Sequence, residues 1–109
     1  IQSMPRHSSI HLDLHSYYNP LPAPFEHWKD FDLTLMSETD DVELCQKIAR
    51  NLMSLVKKSN VQVVDAHPIS YLQKMSNKIP GIVFEFNRDA DRSTVLELAS
   101  CLPTVLSRL

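Results

Sequence analysis

A single glycine, Gly81, in 109 residues constrains this chain more than any other feature, because ordinary proteins carry about seven per hundred. Phosphate-cradling loops, dinucleotide-binding turns and nucleophile elbows each need several glycines close together, so the enzyme classes built on them are excluded. Gly81 follows Pro80 and precedes the apolar run at Ile82. That pair predicts a type II turn, in which proline fixes φ at the second position and glycine supplies positive φ at the third.

The length suits one domain with a core of its own. Apolar residues make up 43% and charged residues 22%, a globular balance rather than that of a disordered chain. Eleven Lys and Arg against thirteen Asp and Glu leave a net charge of -2, which argues against a dedicated nucleic-acid binder. The longest apolar runs fall far short of the ~20 residues that cross a bilayer. Residues 1–9 are polar and lack the apolar stretch of a signal peptide, so they read as a flexible tail before a single domain at 10–109, within a larger protein. Cys45 and Cys101 fall in expected helices as small thiols, consistent with a reducing, intracellular setting in the cytoplasm or nucleus.

His11, Leu12, Asp13, Leu14 and His15 alternate as a half-buried strand does. Three prolines between Tyr17 and Pro24 make residues 17–24 an extended arm. Phe25, Trp28 and Phe31 follow, and aromatics this large should bury together and pin the arm to the body. Phe31, Leu33 and Leu35 predict a second strand, reaching Met36. Val42, Cys45, Ala49, Leu52 and Val56 mark an amphipathic helix, with Asp40 and Glu43 placed to cap it. A strand at Val61–Val64 and another at Ile82–Phe86 follow, separated by a segment at 66–78 that fits a helix or a strand. Asp91 or Ser93 can cap a last helix carrying Val95, Leu98, Leu102, Val105 and Leu109, and Pro103 predicts a kink or break near Leu102.

The chemistry-bearing groups have ordinary explanations beside functional ones. His11, Asp13 and His15 would share one strand face and are the candidate metal ligands, yet a solvated face produces the same alternation. Asn87, Asp89 and Asp91 imitate the opening of a calcium loop, but Arg92 and Leu98 stand where that loop needs a glycine and a glutamate, so a capping turn fits better. Neither cysteine carries a catalytic motif. No catalytic residue and no cofactor is therefore assigned, and the chain is expected not to be an enzyme.

The order of elements predicts an α+β, two-layer sandwich with two long helices on one face of a mainly antiparallel sheet of three to four strands. The strand and helix from Phe31 to Asn60 and the last strand and helix from Ile82 to Leu109 resemble, in their order, the kinase-associated C-terminal domain. That resemblance implies acidic phospholipid or an adjoining kinase domain as the partner. Independently of it, Lys57, Lys58, Lys74, Lys78, Arg88 and Arg92 are the residues that would meet phosphates or anionic lipid if they gathered near one end of the sheet, although scattered basic residues also describe an ordinary solvated surface. The leading expectation is a non-catalytic protein interaction or dimerisation module, binding a protein or a second copy through Phe25, Trp28, Leu102, Leu106 and Leu109. A small metal-dependent enzyme using His11, Asp13 and His15 is the third reading.

Overall fold

The computed structural model describes residues 11–37, 41–64 and 81–109. In chain order these form β1 (His11–Tyr17), a short 3-10 helix (Glu26–Asp30), β2 (Leu33–Ser37), α1 (Val42–Leu55), β3 (Val61–Val64), β4 (Gly81–Asn87) and α2 (Arg92–Ser107). The expectations for the tail at 1–9, for residues 66–78 and for a cap at Asp40 lie outside the described residues.

The fold is α+β, with the strands in the order β1-β4-β2-β3. The sheet is mixed rather than mainly antiparallel: β2 runs antiparallel to β4, but β3 is parallel to β2 and β1 is parallel to β4. The physical reason lies in the connections. Helix α1 carries the chain back along the sheet, so β3 enters beside β2 in the same direction, as a helical crossover allows and a tight hairpin does not. The helices are of ordinary length, 14 and 16 residues.

Both helices cover the same face. Leu33 and Leu35 of β2, Ile82 and Phe84 of β4, Leu44, Cys45, Ile48 and Leu52 of α1, and Leu98, Leu102 and Val105 of α2 form one buried cluster. The stripe on α1 is the expected one, but its cap is Asp41, whose carboxylate accepts from the Leu44 backbone N–H at 3.1 Å. Ser37 Oγ in turn accepts from the Asp41 N–H at 2.7 Å, fixing the turn between β2 and α1. Asp91 caps α2 by accepting from the Thr94 N–H at 3.0 Å and from the Thr94 and Ser93 hydroxyls.

One expectation narrows and another gives way here. Of the kink or break expected near Leu102 the break is absent, because helix α2 is continuous through Pro103. Pro103 and Ala99, whose carbonyl loses its helical donor, both lie on the exposed side, so water can satisfy that oxygen. Burial of Leu98, Leu102 and Val105 on the opposite side, at ~1.5–3 kcal/mol each, offsets the ~3 kcal/mol that an interior proline costs. Gly81 does not adopt positive φ; it is buried as the first residue of β4, opposite His11. It is a strand residue, where a missing side chain permits close packing.

The opposite face carries a smaller cluster of Tyr17, Trp28, Met36 and Val83, with Leu21, Phe25 and Val64 packed against it. Trp28 meets Tyr17 and Phe25 edge-on, with ring centroids 5.9 and 5.1 Å away, and its carbonyl accepts from the Tyr17 hydroxyl at 2.9 Å. The arm is thus pinned as the aromatics predicted, though Phe31 stands outside the cluster. Buried Asn87 completes the attachment: its Nδ2 donates to the Phe31 and Lys29 carbonyls, and its Oδ1 accepts from Asn19 Nδ2 and the Asp89 N–H.

Candidate functional site

Strand β1 alternates, but its leucine face is open. Leu12 is 36% and Leu14 59% exposed, whereas Tyr17 on the other face is buried. Helix α1 packs on β2 and β3, and α2 reaches β4 through Leu98, Leu102 and Val105. On β1 the leucines of this face stay open beside them. Among the described residues β1 forms one edge of the sheet and β3 the other.

The backbone polarity of β1 follows from one hydrogen bond: the Tyr17 carbonyl accepts from the Arg88 N–H of the adjoining chain end at 2.8 Å. A residue's own N–H and C=O leave an extended strand on the same side, and that side alternates. His11, Asp13, His15 and Tyr17 therefore point their backbone groups at β4. Leu12, Leu14 and Ser16 direct theirs to the outer edge. Sheet edges of soluble proteins are usually blunted by Lys, Pro or a bulge. Strand β1 has neither residue and matches β4 without interruption over all seven positions.

On the opposite face the parallel register sets Asp13 beside Val83 and His15 beside Glu85, with Thr34 and Gln62 continuing the row on β2 and β3. His15 Nε2 lies 2.9 Å from Asp13 Oδ1, and Gln62 Nε2 donates to Thr34 Oγ1 at 2.8 Å. Burial raises the Glu85 carboxyl above its ordinary range, partly countered by His15 and reinforced by Asp13. Tyr17 is pushed up to about 12, chiefly by burial. The proposed ligands His11, Asp13 and His15 do share this strand, and Asp13 and His15 meet. Among the described residues no group of three or more His, Cys, Asp or Glu side chains is arranged to hold a metal ion.

The residues expected to meet a partner are largely engaged within the chain. Trp28 and Leu102 are buried, and Phe25, Leu106 and Leu109 are partly buried against the two clusters. Among the described residues the large apolar side chains left open are instead Leu12, Leu14, Tyr18, Leu55 and Leu96. Tyr18 and Leu96 line a cavity of about 380 Å³ with Val95, Arg88 and Arg92, at the end of β1. Alternation in β1 signalled these leucines; what covers them was not encoded locally.

Of the basic residues, Lys58 pairs with Glu97 at 3.2 Å and Asp91 at 3.9 Å, and Arg88 stacks over the Tyr18 ring at 4.5 Å. Lys74 and Lys78 lie outside the described residues. Both cysteines are free, and burial pushes the Cys45 thiol up to about 12, which suits a packing role rather than a nucleophile.

Among the described residues the fold is a small α+β domain with a mixed four-stranded sheet, of which β1 forms one edge. Compared with known protein families, curated proteins and solved structures, the chain matches none. Among the described residues no helix is long and apolar enough to cross a membrane.

Proposed function

We propose that this domain is a non-catalytic protein interaction module whose docking surface is the outer edge of β1. The observation that supports it is the coincidence, on one strand, of outward backbone groups at Leu12, Leu14 and Ser16 with exposed leucines on the helix-bearing face. An added strand gains main-chain hydrogen bonds from the edge and apolar contact from Leu12 and Leu14, the usual division of affinity and selectivity in strand addition. The aromatic arm serves this surface indirectly, since Tyr17 and Trp28 anchor the end of β1.

The test compares proteins captured from a cell lysate by the immobilised domain and by its Leu12→Lys, Leu14→Lys double variant. Both leucines are exposed, so the variant should keep its far-UV circular dichroism spectrum. Loss of specific bound proteins from the variant is expected. Equal capture by both would refute the module, as would no capture by a domain that is also monomeric at every concentration.

A further inference from the structure

We infer that the strand accepted by this edge is β1 of a second copy of the same chain, paired antiparallel about Leu14; the inference rests on the reading of β1 as a docking edge. Leu14 is the middle residue of His11–Tyr17, and its backbone groups face outward. A two-fold axis at Leu14 sets the two Leu14 residues opposite one another and matches Leu12 of each copy with Ser16 of the other. These are the residues whose N–H and C=O groups point away from β4, so every outward group in the strand meets a partner. They form the hydrogen-bonded pairs of an antiparallel ladder.

The same axis places Asp13 of each copy opposite His15 of the other. These are the non-hydrogen-bonded positions, where side chains across the ladder come closest. Within one chain Asp13 and His15 already pair at 2.9 Å, so the junction becomes an alternating row of two carboxylates and two imidazoles. Other symmetric registers lack this complementarity. An axis at Asp13 opposes two carboxylates, an axis at His15 opposes two imidazoles, and either leaves part of β1 unmatched. Moving the axis to Leu12 or Ser16 also shortens the pairing.

The axis stands perpendicular to the sheet, so the helices of both copies lie on one side. Leu12 and Leu14 of each chain then line the floor between the two helical layers, packed laterally across the junction, Leu14 against Leu14 and Leu12 against Ser16. The sheet becomes continuous across the pair and β1 ceases to be an edge.

Sedimentation of the purified domain over a range of concentrations tests this directly. The expected particle is a dimer, and Leu14→Lys should weaken its association at least tenfold while the circular dichroism spectrum persists. In a second variant, Leu14→Cys, oxidised glutathione should take up the two thiol hydrogens and leave a disulfide that mass spectrometry maps to position 14 of both chains. A dimer that survives Leu14→Lys, or one that forms no such cross-link, overturns the pairing about Leu14. A monomer at every concentration overturns the second copy as occupant. If its edge still captures another protein, the module stands; if capture also fails, both readings fall.

Discussion

Asn19 Nδ2 donates to Asn87 Oδ1 at 2.9 Å, joining the start of the proline-rich arm to the end of β4. Asn87 is 1% exposed, and its amide also donates to the Phe31 and Lys29 carbonyls. One buried side chain therefore holds three segments. Replacing it by alanine leaves the Phe31 carbonyl and the Asn19 amide without this partner. Asn87→Ala should cost about 2–3 kcal/mol, seen as a lower urea midpoint and faster proteolysis within residues 19–31. An unchanged midpoint would remove Asn87 from its role as anchor.

The Tyr17 hydroxyl should titrate late. Its value of about 12 exceeds the ordinary 10.0, mainly because burial disfavours the phenolate. The stabilisation linked to this neutral phenol is complete below pH 10 and is lost as pH rises towards 12, because the unfolded chain ionises first. Ultraviolet titration of Tyr17→Phe against the parent should show the late tyrosine missing. A late transition retained in Tyr17→Phe would assign it elsewhere.

Glu85 should be a liability at neutral pH. Burial raises its carboxyl, so the contribution of its protonated form is present below the ordinary 4.5 and lost as pH rises through the folded value. Glu85→Gln keeps the shape without the charge. The variant should melt above the parent at pH 7, with the difference vanishing in acid. A variant that melts lower at pH 7 would mean that the carboxylate contributes more through His15 than it costs by burial.

Pro103 is tolerated rather than required. It sits exposed inside α2, where alanine would restore a helical hydrogen bond to the Ala99 carbonyl. Pro103→Ala should stabilise the domain by up to ~3 kcal/mol, measurable as a higher melting temperature. No gain would show that the proline is compensated by interactions beyond the buried stripe.

Local signals carried much of this fold. The three-and-four spacing from Cys45 to Leu52 located α1, and the alternation from Ile82 to Phe86 located β4, because each pattern belongs to one element. Asp91 was legible as a cap for the same reason. Direction and neighbour were not: that β3 lies parallel to β2 depends on where α1 returns the chain, a long-range outcome. The alternation of Leu12 and Leu14 fixed a shared face without saying what lay above it. The aromatic spacing placed Trp28 with Phe25 but not the hydroxyl of Tyr17 beneath them. In Gly81 the residue type was read correctly as special and its conformation wrongly, since a buried position in a strand also favours the smallest residue.

The junction of β1 with β4 also sets a timetable. Asn19 and Asp89, which meet just beyond the two strands, are 70 residues apart in the chain. During synthesis β1 leaves the ribosome several seconds before β4, at roughly 5–20 residues per second. In that interval β1 and its two leucines lack the strand that later pairs with them. The nascent chain thus passes through a stage at which β1 waits without β4, and the order of emergence makes the β1–β4 pairing one of the last in the sheet to form.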